Sequence, residues 1–230
     1  DLLALDEHCR RVIIELIGVH PNPAVFGFLK NKGERIVEFL MRPQPDEFAF
    51  AHIELTIDAN GKITDTQSRD EYIKETNQEP YLIDVKKEQD KAKNGEPRKL
   101  PLFVGENEDG VTVYVAPIYG KGLWDAIWGY VAMDKNMIVK GAYFDHKGET
   151  AGLGANIKQR YFMDDFKDEH LLDKSGAYKG ITVAKGNADP LNKDKTDNEV
   201  DAIAGATITG DGVSAMIKKD LRLYKPYFDN

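Results

Sequence analysis

The stretch Val200-Asp-Ala-Ile-Ala-Gly-Ala-Thr-Ile-Thr-Gly-Asp-Gly-Val213 sets a hydroxyl, Thr207, beside the tiny residues Ala204, Gly205 and Ala206. Small side chains let a bulky ligand approach the backbone. The apolar positions that follow, Val213, Met216, Ile217, Leu221 and Leu223, predict an amphipathic helix over 212–223. The N-terminus of such a helix offers free N–H groups and the positive end of a dipole, which favour a phosphate. Thr207 or Thr209 can donate a hydroxyl to that phosphate or be esterified by it. The same residues also suit a plain helix start, with Thr209 or Asp211 as the cap. On the residues alone the two readings stand side by side.

Other constellations carry less. Gly152-Leu-Gly-Ala-Asn-Ile157 opens like a dinucleotide fingerprint but lacks the third glycine, and no βαβ unit surrounds it. His8, His20, His52, His146 and His170 are scattered without metal-ligand spacing. Asp164, Asp165, Asp168 and Glu169 read as a charged helix end, because the ordered oxygen spacing of a calcium loop is missing. No Gly-x-Ser-x-Gly elbow occurs. Trp124 and Trp128, at a strand start, read first as packing residues. No catalytic base and no metal ligand is assigned.

The elements that must position Thr207 follow from periodicity. Leu2 to Ile17 carries a helical apolar stripe that includes Cys9, Val12, Ile13 and Leu16, so Cys9 reads as a core thiol. Segment 21–46 is broken by prolines. Ile53–Ile57 alternates, Asp58-Ala-Asn-Gly61 turns, and 62–64 resumes, which predicts a β-hairpin. Glu71 to Pro97 is polar and rich in Lys and Glu, and reads as a solvated loop or linker. It is the expected boundary between an N-terminal region, 1–97, and a second domain, 98–230. Four strand-like runs follow at 102–104, 111–115, 127–133 and 138–144. Turns are expected at Glu106–Gly110, Tyr119–Gly122 and Asp134–Asn136, and such short gaps imply antiparallel neighbours. A helix is expected over 155–166, a strand over 180–184 and a polar loop over 185–199. The expected fold is α+β, an antiparallel sheet with flanking helices.

Composition closes several classes. A chain of 230 residues with 41% hydrophobic residues has the means to build a core. A net charge of −8 argues against nucleic acid as a partner, since phosphate binding needs a basic surface. The single cysteine excludes an intrachain disulfide and a cysteine metal cage. No apolar run reaches the roughly 20 residues that span a bilayer.

Asp201-Ala-Ile-Ala-Gly-Ala-Thr207 resembles the Asp-x-x-Ser/Thr-Gly-Ala-Thr motif of the FMN-binding domain family. Gly120-Lys-Gly-Leu-Trp124 with Ile127-Trp-Gly-Tyr130, and Gly148-Glu-Thr-Ala-Gly-Leu-Gly154, resemble two further family blocks in the same order. Together they resemble the NqrC family, flavin subunits of the sodium-translocating NADH:quinone reductase, over roughly residues 100–223. The resemblance implies FMN attached covalently, through a phosphoester made by a flavin transferase, to Thr207. It places Gly205, Ala206, Thr209, Glu149, Thr150, Gly152, Leu153, Gly154 and Trp124 around the flavin. Leu153 and Trp124 suit its flat apolar ring, and backbone N–H groups of 152–154 its polar rim. The implied role is electron carriage within a membrane-bound complex that moves electrons from NADH to quinone and pumps Na⁺, with the other subunits as partners. The implied location is the periplasmic side of the inner membrane, behind an N-terminal anchor ahead of Asp1. The chain departs from the family pattern at Ala204, usually Ser or Thr, and at Ala151, usually Pro. Rival readings are the RnfG component of the related Rnf electron-transport complex, a non-catalytic flavin-binding regulatory module, and a structural protein without flavin.

Overall fold

The alternating runs of the sequence become strands. The computed structural model describes residues 8, 11–13, 15–16, 51–106, 110–186, 189 and 191–229. Cys9 and the proline-broken segment 21–46 lie outside the described residues. Six strands, β1 (Ala51–Ile57), β2 (Ile63–Ser68), β3 (Arg98–Glu106), β4 (Thr112–Lys121), β5 (Ala126–Met133) and β6 (Val139–His146), form one sheet. Their order is β2-β1-β3-β4-β5-β6, and every neighbouring pair is antiparallel. The first hairpin closes on the Asp58 carboxylate, which accepts the N–H groups of Asn60 and Lys62 at 2.8 and 2.9 Å.

The fold corrects the expected turn at Tyr119–Gly122. Tyr119, Gly120 and Lys121 continue β4, opposite Trp128, Ile127 and Ala126. Glycine weakens a strand but does not end one whose ladder its neighbour completes. The turn lies at 122–125, where the Gly122 N–H donates to the Asp125 carbonyl at 2.9 Å.

Residues 71–97, expected as a solvated loop, instead carry helix α2 (Val85–Lys93) and most of α1 (Arg69–Thr76). Their cause is local hydrogen bonding. Ser68 and Glu71 form a reciprocal capping box ahead of α1, and Asp84 accepts the Lys87 N–H at 3.1 Å to start α2. The sheet spans the expected boundary at residue 97, since β1 pairs with β3 from Ala51 opposite Val104 to Ile57 opposite Arg98.

After β6 come a 3₁₀ turn (Gly154–Lys158) and α3 (Arg160–Asp165), where a single helix over 155–166 was expected. The expected strand 180–184 shortens to β7 (Thr182–Val183), paired in parallel with β8 (Glu199–Val200) at the end of the expected loop. The closing helix α4 (Thr207–Asp220) begins earlier than the predicted residue 212, and α5 (Lys225–Phe228) follows.

Val213, Met216 and Ile217 of α4, with Leu221 just after it, join Ile118, Ile127, Val131 and Phe144 of the sheet in one buried cluster. Phe144 also meets Phe162 and Phe166 of the α3 region at ring-centroid distances of 5.8 and 5.0 Å. Each such wholly buried side chain contributes about 1.5–3 kcal/mol. The opposite sheet face buries Ile13 against Phe103, Val113, Val115 and Ala132. Helix α4 packs on one face of the sheet over the end of β4, with Gly212 against Lys121 and Ile127. Among the described residues no helix is long and apolar enough to cross a membrane.

Candidate functional site

Three segments meet at the end of the sheet where β4 turns into β5 and β6 leaves it. They are the 122–125 turn, the loop 147–154, and the start of α4. Glu149 sits at their junction, buried beneath the surface. One carboxylate oxygen accepts the Trp124 N–H at 2.9 Å, and the other accepts the Thr209 hydroxyl at 2.5 Å. Burial pushes the Glu149 carboxyl up, but the Thr209 hydroxyl and the N–H groups of Trp124, Leu123 and Asp125 outweigh it. The group is held below the ordinary carboxylate value, so it is ionised at neutral pH.

The neighbouring glycines explain how the carboxylate fits. A Cβ on Gly122 would lie 2.6 Å from one Glu149 oxygen, and a Cβ on Gly154 would lie 2.5 Å from the other. A side chain at either position would displace the carboxylate, so the two motif glycines clear the space that the glutamate fills. The loop is tied further by the Glu149 N–H, which donates to His146 Nδ1 at 3.2 Å.

Helix α4 starts after Ala206, which offers no capping side chain. Its first-turn N–H groups therefore stand beside the junction without a side-chain acceptor. Neither Thr209 nor Asp211 caps the helix, contrary to the plain reading of the sequence, because α4 begins at Thr207 and both lie inside it. Thr209 is 1% exposed, whereas Thr207 faces solvent. Gly205, at φ +70°, makes the sharp bend into the helix, and a Cβ there would strike Leu153 at 2.8 Å.

An open cleft of about 250 Å³ lies over this junction. Of the residues expected from the sequence, it gathers Glu149, Thr150, Leu153, Gly154, Gly205, Ala206, Thr207 and Thr209. Gly152 and Trp124 do not line it. Gly152 makes the turn at φ +77° just outside, and Trp124 stands at the rim, 66% exposed, its indole N–H donating to the Thr150 hydroxyl at 3.1 Å. Leu123 and Ile208 line the cleft and were not expected. Leu123 was signalled by its place beside Trp124, and Ile208 by being an apolar residue between two threonines. Ala151 and Ala204, the two departures from the family pattern, are exposed and are not among the lining residues.

These residues fit a flavin phosphate. Uncapped helix N–H groups and an exposed hydroxyl suit its anion, and half-exposed Leu123, Leu153 and Ile208 suit a flat apolar ring. Residues 122–222 match the FMN-binding domain family model. The chain is similar to NqrC of the Na(+)-translocating NADH-quinone reductase of Chlamydia muridarum, 33% identical over 135 residues, 54% of this chain and 42% of that one. It is 39% identical to the corresponding reductase subunit of Yersinia pestis over 117 residues, 50% of this chain and 42% of that one. The chain thus spans less than half the length of these curated relatives. The crystal structure of the same subunit from Parabacteroides distasonis superposes with a TM-score of 0.66 at 26% identity, covering 98% of this chain and 93% of that one. NqrC of Shewanella oneidensis shares the fold, with a TM-score of 0.63 at 22% identity over 97% of this chain and 95% of that one. The resemblance drawn from the three motif blocks and the expected α+β fold are both borne out.

Proposed function

We propose that this chain carries FMN covalently on Thr207, as the electron-carrier portion of an NqrC-type flavin subunit in a Na⁺-translocating NADH:quinone reductase. In this reading its partners are the other subunits of that membrane complex and a flavin transferase. The domain sits on the periplasmic side behind an N-terminal anchor. The observation that carries the reading is the contrast between the motif threonine, Thr207, and its near neighbour Thr209. Thr207 is open to solvent on the lip of the cleft, while Thr209 is buried with its hydroxyl committed to Glu149.

The flavin, when bound, supplies the redox chemistry. The protein's residues hold and orient it. The α4 first-turn N–H groups would offset phosphate charge, and Leu123, Leu153 and Ile208 would shield the apolar ring from water. A phosphate monoester does not esterify an alcohol unaided, so the donor for attachment must be a flavin nucleotide activated as a pyrophosphate. Thr207 Oγ forms the new P–O bond, the pyrophosphate P–O bond breaks and a nucleoside monophosphate leaves. The hydroxyl proton passes to a base of the transferase.

The test is co-expression with a flavin transferase, followed by denaturing electrophoresis and mass spectrometry. A fluorescent band with the adduct on the Thr207 peptide is expected, lost in Thr207→Ala. A dark band for the parent chain, or label that survives Thr207→Ala, would sink the assignment.

A further inference from the structure

We infer that Glu149 is the positioning residue of the site, acting through the 122–125 turn and the Thr209 hydroxyl that its carboxylate holds. Its carboxylate sets the rotation of the first turn of α4 and so selects which threonine is presented. This rests on the attachment reading above.

Both carboxylate oxygens are already used. One holds the backbone of the 122–125 turn, and the other holds the Thr209 hydroxyl. The carboxylate itself is buried at the cleft floor and faces protein donors. Thr207 and Thr209 are the first and third residues of α4, so their side chains lie about 200° apart around the helix axis. Drawing Thr209 inward therefore turns Thr207 outward. No capping side chain fixes this end of α4. The anchor comes instead from a residue 60 positions away. Gly122 and Gly154, each within 2.6 Å of the carboxylate at the position of a Cβ, show that the backbone is shaped around this one group. The device thus joins the first two motif blocks to Thr209 at the start of α4, just after the third, and leaves Thr207 free.

The experiment compares the parent chain with Glu149→Ala and Glu149→Gln. Three readouts are taken: the labelled fraction after co-expression with a flavin transferase, the adduct site by peptide mass spectrometry, and backbone amide exchange of the unlabelled chains. Glu149→Ala should lower labelling about ten- to a hundred-fold, the loss typical of a misplaced reacting group. Its amide exchange should rise at Trp124 and the first turn of α4, with β3, β4 and β5 as protected as before. Glu149→Gln keeps an oxygen for the Trp124 N–H and turns an N–H toward Thr209 Oγ, so it should restore protection and most of the labelling. Glu149→Ala labelled on Thr207 as well as the parent would overturn the inference. So would exchange that rises across the whole sheet, which would mark Glu149 as a general fold residue. If the parent chain itself stays unlabelled, the attachment reading fails, and the exchange pattern alone decides whether Glu149 positions the turn and helix.

Discussion

Two buried glutamates in different parts of the molecule behave in opposite ways. Glu149 lies shallow under the cleft, and Glu54 lies deep in β1, wholly buried. Burial pushes Glu54 up to about 9, with Lys99 offsetting only part of that push and Glu88 adding to it. Burial also pushes Glu149, yet its hydroxyl and backbone donors bring it below the ordinary value. Depth and donor supply together decide which carboxylate stays charged. The site end has donors because a tight turn and a helix start both point N–H or O–H groups inward.

The comparison breaks most severely if the space around Glu149 is filled. Gly154→Val should cost about 3 kcal/mol, since its Cβ alone meets Glu149 and Thr209 oxygens at 2.5 Å. Urea unfolding would measure the loss, and a midpoint unchanged from the parent would count against the packing described. Thr209→Val should cost about 1–2 kcal/mol by removing one donor from a buried carboxylate. The sign with pH is definite. Glu149 has a depressed folded pKa, so its contribution is complete above the ordinary carboxylate range and is lost as pH falls through the depressed value. The gap between parent and Thr209→Val should therefore shrink on acidification.

Glu54 gives the opposite slope. Between its ordinary 4.5 and about 9, the unfolded chain releases a proton that the folded chain keeps. Stability falls across that window as pH rises. Glu54→Gln removes the slope and should raise the melting temperature at neutral pH by about 2–4 °C, with no gain at about pH 4. A gain that is equal at both pH values would contradict a neutral Glu54. The smallest effect belongs to Ala204→Thr. The position is exposed, so stability should stay within about 0.5 kcal/mol. Only the labelled fraction should move, and a large stability change would show that Ala204 packs more closely than its exposure indicates.

Much of the sheet was legible because β3 to β6 bury residues at strand spacing, as in Val113 and Val115. The first hairpin was legible from Asp58-Ala-Asn-Gly61. The two helices in 69–93 were not read, because neither carries an apolar stripe, although Ser68-x-x-Glu71 spelled a capping box in plain view. The start of α4 was missed for the converse reason: its cap, Ala206, carries no capping signal. At the site, the motif residues were legible as types. Which of them share a cleft was not, because Trp124 and Gly152 belong to the same blocks as true lining residues. The partners of Glu149 were also hidden, since nothing local in the sequence links it to Thr209.

That long link bears on when the site comes into being. The 122–125 turn and the 147–154 loop emerge during synthesis well before α4, which supplies Thr207 and Thr209. Until α4 docks on β4, Glu149 lacks its hydroxyl donor and the cleft lacks one wall. Contacts of such sequence separation form late, because their loop entropy must be overcome first. An enzyme that modifies Thr207 by recognising the assembled cleft would thus act only on finished domains, and the modification would serve as a molecular record that folding had been completed.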